Sequence, residues 1–302
     1  MLMLRALFAA SLIMIPAGAA DLFEFRNGFW ENMHHYAYAT AKEVDNRETI
    51  LQPDSWRACV DYYRANLVKK DLLMDTDMMR YKLALSTGDL NALPEGHANI
   101  LRAAAQAYRE GAWSMHSRQN QSWIESMRPL VEAHGAKLAK RLSEFYGTAW
   151  PDKPVVVDLV PAATFAGAYT SVGPTHITIA AGETPNRGES GLEILFHEAS
   201  HGLIRPLDIL IDEELRRQNA YLPRRDLWHA MLFFTTGEIV RRELGQDYTP
   251  YAYKGLWARA WPMYIASFEK LWIPVINGTV EKRPALEALI KEVKTERPPA
   301  KK

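Results

Sequence analysis

Apolar positions recur at helical spacing through most of the first half of the chain. Phe29, Trp30, Met33, Tyr36 and Ala37 form one such stripe, Trp56, Val60, Tyr63 and Leu67 a second, and Leu72, Met79 and Leu83 a third. Gly88, Pro94 and Gly96 interrupt the pattern, which resumes over 100–113 and 123–146. The first half therefore reads as an all-helical bundle or cap. In mid-chain the period changes. Val155, Val156, Val157, Leu159 and Val160 make a β-branched run that is too short for a helix and suits a buried strand. A second strand is expected over 175–180, bounded by Gly173-Pro174 and Gly182. After a loop over 182–188 the spacing predicts helices over about 191–204, 207–219 and 227–243, with Asp226 as N-cap and Gly245 as stop for the last. The aromatic stretch 248–272 also reads as helical, and 296–302 as a frayed tail. The fold class expected is α+β, predominantly helical, with a small mid-chain β-sheet.

Composition narrows the chemistry. Of 302 residues, 36 are Lys or Arg and 36 are Asp or Glu, so no sequence-wide charge draws the chain to nucleic acid. Hydrophobic residues at 48% and charged ones at 24% fit a globular protein with an ample core rather than a disordered chain. The one cysteine, Cys59, excludes an intramolecular disulfide and a cysteine-based zinc, haem or iron–sulfur site. Any metal must be held by His, Asp and Glu.

The first twenty residues have the layout of a secretory signal peptide: Arg5 in a short basic start, an apolar run over 6–15, then Pro16 and the small residues Ala17-Gly18-Ala19-Ala20. The run is too short for a permanent membrane span, so no stable membrane insertion is expected after cleavage. With a single cysteine in the mature chain, a bacterial periplasmic or secreted location is expected.

The most informative stretch is 190–202, which contains H-E-x-x-H at His197, Glu198 and His201. Ser190 and Glu193 read as a capping box, so a helix is expected to start at Gly191, cover the motif and end at Pro206. One helical turn separates His197 from His201, which lets two imidazoles converge on one ion, while Glu198 is offset enough to reach a water without displacing it.

On His197, Glu198, His201 and the strand-then-helix order before them, the chain resembles the zincin metallopeptidases. The resemblance implies a zincin-like core, a catalytic Zn²⁺ on His197 and His201, and Glu198 as general base acting on a zinc-activated water. The chain then divides into a leader over 1–20, a helical region over 21–150, a metal-binding region over 151–295 and the tail. The metzincin extension is absent, since Ile204 and Leu207 stand where Gly and His would be needed. A gluzincin-like site takes its third ligand from a downstream carboxylate, and Glu238 is the first choice. It continues the stripe Leu227, Met231, Phe234 on the 227–243 helix, where an unpaired carboxylate needs a cation. Pairing with Arg241 or Arg242 is the alternative. His229 competes as ligand, about 180° around and roughly 13 Å along that helix, so the two cannot share an ion if it is straight. Glu213 and Glu214 rank third and read as solvated. For the oxyanion donor Tyr251, Tyr253 and His229 are candidates. The 175–180 strand is expected to offer an open edge to an extended peptide, with His176 a packing or surface residue. The partner expected is a peptide or protein. A non-catalytic periplasmic binding or scaffold protein that keeps the fold and a structural metal is the competing reading.

Overall fold

A computed structural model describes residues 22–43, 53–164 and 167–295. The leader and the tail expected from the sequence lie outside the described residues.

The chain enters through a short strand, β1 (Phe23–Arg26), and then builds helices α1 (Phe29–Lys42), α2 (Asp54–Asn66), α3 (Thr76–Ser86) and α4 (Glu95–Tyr108). A π-helical turn at Arg109–Trp113 leads into α5 (Ser114–Tyr146), a 33-residue helix that ends on left-handed Gly147. Strands β2 (Val155–Val160), β3 (Ala168–Ser171) and β4 (His176–Ala180) follow, then α6 (Gly188–Ser200), α7 (Arg205–Arg217) and α8 (Leu227–Leu244). Short helices α9 (Leu256–Ala260), α10 (Ile265–Leu271) and α11 (Ile273–Ile276) precede α12 (Lys282–Val293). The protein is α+β and 65% helical.

The sheet runs β1-β2-β4-β3. β1, β2 and β4 are parallel, in the register Phe23↔Val155 and Val157↔Ile177, while β3 is antiparallel to β4 with Thr170 opposite Ile177. β2 is buried nearly throughout, which is why it reads as a continuous apolar run rather than an alternating one. Two strands have no such signature. β1 and β3 are only four residues each and carry Glu24, Arg26, Thr170 and Ser171, so their pattern is too short and too polar to stand out. The order also corrects one expectation. β4, the strand expected to present an open edge, is paired on both sides, and the edge nearest the motif helix belongs to β3.

Two apolar clusters form the interior. One joins β1, the sheet, α5 from Trp123 onward and every later helix of the motif region. The other fills the helical lobe: apart from Tyr169 of β3, its buried members all lie between Met33 and Tyr108. The expected division near residue 150 therefore cuts across packing, because β1 and most of α5 belong with the sheet. Asn32 of α1 and Asn120 of α5 both donate to the Leu159 carbonyl of β2, at 2.8 and 2.9 Å, which fastens the lobe to the sheet. In α3 the buried face is Met78, Tyr81, Lys82, Ala84 and Leu85, one position off the expected stripe, and Leu83 is 40% exposed.

Candidate metal centre

α6 begins three residues earlier than expected, and no capping box forms. Ser190 lies in the first turn, and Glu193 turns inward, where Tyr248 Oη donates to its Oε2 at 2.6 Å and the Tyr251 N–H at 2.8 Å. Burial pushes the Glu193 carboxyl up to about 7 against these two donors. α6 can approach the preceding turn because Gly191 has no side chain: a Cβ there would collide with the Asn186 carbonyl oxygen. Trp123 of α5 donates its indole N–H to the same oxygen at 2.5 Å, so this turn is fixed from both sides.

His197 sits in the last turn of α6 and His201 just beyond its end, not inside a helix running on to Pro206. Pro206 instead stands in the first turn of α7, where a missing N–H costs nothing. The third nitrogen comes from His229, in the first turn of α8. Ligand atoms of His197, His201 and His229 all lie within 4.8 Å of one another, and His229 Nε2 is 3.3 Å from His197 Nε2. This group could hold a metal ion.

Glu238, the expected third ligand, is elsewhere. Arg241 grips it in a bidentate pair, Nε to Oε1 at 3.1 Å and Nη2 to Oε2 at 2.6 Å, so the cation that its apolar stripe demanded is a guanidinium one turn away. The helix is long enough that Glu238 and His229 face different neighbours, and α8 brings the imidazole to the motif. Glu213 pairs with Arg283 at 2.9 Å. Glu214 is not solvated as expected but 2% exposed, held by Arg217 at 2.7 and 2.8 Å. No family model, curated protein or solved structure matches this chain.

Electrostatics prepare the three imidazoles to be neutral ligands. Burial lowers His201 to about 3 and His229 to about 4, and holds His197 well below its ordinary value. His229 Nε2 and His197 Nε2 can share one N–H between neutral rings, at a long 3.3 Å, while His197 Nδ1 is buried with no protein partner. A cation among the three nitrogens fits that arrangement. The surroundings are aromatic: Phe233 stacks on His197 with centroids 3.7 Å apart, Trp228 on His229 at 5.0 Å, and Tyr251 on Phe233 at 6.0 Å. His229 and Phe233 are four residues apart and so share a face of α8.

Glu198 is 6% exposed. Thr170 of β3 donates its hydroxyl to Oε2 at 2.6 Å, and His201 Nε2 is 3.9 Å from the same oxygen. Burial raises the carboxyl to about 7, with the Thr170 bond and the Lys82 charge pulling the other way. Of the oxyanion candidates, Tyr251 is half-buried and its phenol is pushed up, first by burial and then by carboxylates that include Glu193 and Glu198. Tyr253 faces away and donates to Glu269 at 2.8 Å. His176, on β4, is buried against Asp158 at 2.5 Å and is a packing residue. Sequence reasoning missed Thr170, which sits in an unrecognised four-residue strand, and Lys82, whose charge disguises a core position.

Proposed function

We propose that the protein is a zinc-dependent hydrolase of peptide bonds, of the zincin kind, acting in the periplasm or as a secreted protein. The observation that carries this reading is the juxtaposition of three neutral imidazole nitrogens with a buried carboxylate fixed by a threonine. A purely structural ion has no use for a buried carboxylate held by a hydroxyl beside its ligands. His197, His201 and His229 would hold the ion, and three nitrogen donors suit catalytic Zn²⁺, which takes its fourth ligand from water or substrate. Bound there, Zn²⁺ supplies Lewis acidity to the attacked carbonyl and acidifies water at neutral pH.

The chain's own groups do the rest. Glu198 takes the proton of the attacking water and delivers it to the leaving amine, a task suited to a carboxyl whose pKa lies near the working pH. Thr170 keeps one carboxylate oxygen occupied, which orients the other. Tyr251, protonated at neutral pH and stacked on Phe233 beside the imidazoles, is our candidate donor to the developing oxyanion. The Phe233, Trp228 and Tyr251 rings limit access of bulk water to the imidazoles. A peptide is the substrate suggested by β3. The bond from Ala180 N–H to the Gly167 carbonyl sets the phase of the β3–β4 ladder, so Thr170 turns its own N–H and C=O outward, where an extended chain can pair. No helix among the described residues is long and apolar enough to cross a membrane.

The test is Glu198→Gln in zinc-loaded protein challenged with a mixed peptide library. Zinc stoichiometry is expected to stay at the wild-type level while turnover falls about 10²–10⁴-fold. Cleavage at the wild-type rate overturns the assignment of the base, and wild-type protein that binds zinc but cleaves no peptide overturns the peptidase reading.

A further inference from the structure

Lys82 is the feature of the helical lobe that packing alone does not explain. It projects from α3, is 1% exposed, and places its ammonium where β3 and β4 meet. Nζ donates to the His176 carbonyl at 2.8 Å and lies 3.3 Å from Ser171 Oγ, and His176 and Ser171 are register partners across the β3–β4 ladder. The same ammonium rests over the Tyr169 ring, 4.5 Å from its centroid, and His35 Nε2 meets Tyr169 Oη at 2.9 Å. Lysine is almost never this buried without a paired carboxylate, and among the described residues none lies within ion-pair distance. Burial lowers the ammonium to about 8, with Glu31, Asp158 and Glu198 opposing from further off.

Strand alternation gives this contact its meaning. Tyr169 and Ser171 face the helical lobe, so Thr170 between them faces α6, where its hydroxyl meets Glu198. We propose that Lys82 is a positioning residue for Glu198: it clamps β3 to β4 on the lobe side, and so holds the Thr170 hydroxyl at the carboxylate on the other side. The catalytic part of this rests on Glu198 being the base. The clamp itself does not. The helical lobe thereby becomes part of the machinery that aims the base, reaching it through one strand and without touching the metal site.

The experiment uses the full chain with Lys82→Met, Lys82→Arg, Thr170→Val and the double variant Lys82→Met with Thr170→Val. Amide hydrogen exchange of Tyr169 and Ser171, followed in metal-free and zinc-loaded protein, reads the clamp without any reaction. Lys82→Met is expected to speed exchange there by about tenfold or more while zinc stoichiometry stays unchanged, and Lys82→Arg to restore most of the protection. On a library peptide that the wild type cleaves, Lys82→Met is expected to lower kcat by roughly tenfold with KM unchanged, as loss of one charge-assisted contact would. The double variant should be no slower than Thr170→Val alone, because both act on one contact. Unchanged exchange in β3 in Lys82→Met, or in the shorter, neutral Lys82→Gln should the methionine variant not fold, overturns the clamp. Independent, multiplying losses in the double variant overturn the route through Thr170. Altered exchange with no cleavable peptide leaves the clamp standing and condemns the base reading instead.

Discussion

Among the described residues the histidines of the helical lobe lie against phenols, whereas those of the motif and α8 converge on one another and could hold an ion. In the helical lobe, the Tyr63 hydroxyl sits between His34 Nδ1 at 2.7 Å and His97 Nε2 at 2.9 Å, His35 meets Tyr169, and His116 Nδ1 meets Tyr108 Oη at 2.9 Å. Each of these imidazoles has a phenol for a neighbour. At the motif, His197, His201 and His229 have one another, with aromatic carbon around them. A phenol can donate to one ring nitrogen and accept from another, so every histidine of the lobe has a protein partner on at least one nitrogen, with His34 Nε2 and His97 Nδ1 left without one. At the motif no phenol stands between the rings, and the three sets of ligand atoms, within 4.8 Å of one another, could hold a metal ion.

The largest expected effect separates the two groups directly. His201→Ala should weaken zinc binding by more than the roughly 10–100-fold that loss of an outer-shell partner costs, whereas His97→Ala should leave zinc stoichiometry at the wild-type level. Titration with a chelator of known affinity measures both, and equal losses would dissolve the distinction. A smaller effect is expected from Tyr63→Phe. It leaves His34 and His97 without their shared hydroxyl and should lower unfolding free energy by about 1–3 kcal/mol, with metal binding intact. Loss of zinc in that variant would mean that the lobe's histidines belong to the site after all.

The smallest effect is a slope. Burial lowers His97 from the ordinary 6.5 to about 4. Below pH 6.5 the unfolded chain gains a proton there that the folded chain refuses until about pH 4, so this residue makes stability fall as the pH drops through that window. The contribution is at most about 1.4 kcal/mol per pH unit. Denaturant titrations of wild type and His97→Gln at pH 7, 6 and 5 should diverge, the variant losing less on acidification. Parallel curves would show that His97 is not held neutral by burial.

Much of the frame was readable in the sequence, and the reasons for the failures are physical. β2 announced itself through its valines, and α8 matched to within a residue at its C-terminal end, because both are long or apolar enough for periodicity to speak. The two histidines of H-E-x-x-H are local and needed only helical spacing. The third could not be read that way. Glu238 and His229 lie on one helix, and choosing between them depended on which end of α8 meets α6. Arg241, one turn from Glu238, was the visible hint that this carboxylate had a cation of its own. The capping box failed for a related reason: Glu193 had a stronger use inside, accepting from Tyr248 and Tyr251, than at the helix start. Thr170 and Lys82 were illegible because each breaks the pattern of its element, one as a polar residue in a four-residue strand and the other as a charge on a core face.

The contiguity of the lobe's interior has a consequence for the order in which the chain can assemble. Its buried residues are drawn from one continuous stretch ending at Tyr108, with Tyr169 the later arrival, while Phe23 must wait for Val155 before β1 has any neighbour. Local contacts close faster than distant ones. During synthesis the lobe can therefore be complete, with Lys82 and the Tyr63 bridge in place, before either strand of the hairpin it grips has been made. The histidine helix comes later still, so His197, His201 and His229 arrive at a lobe that is already standing.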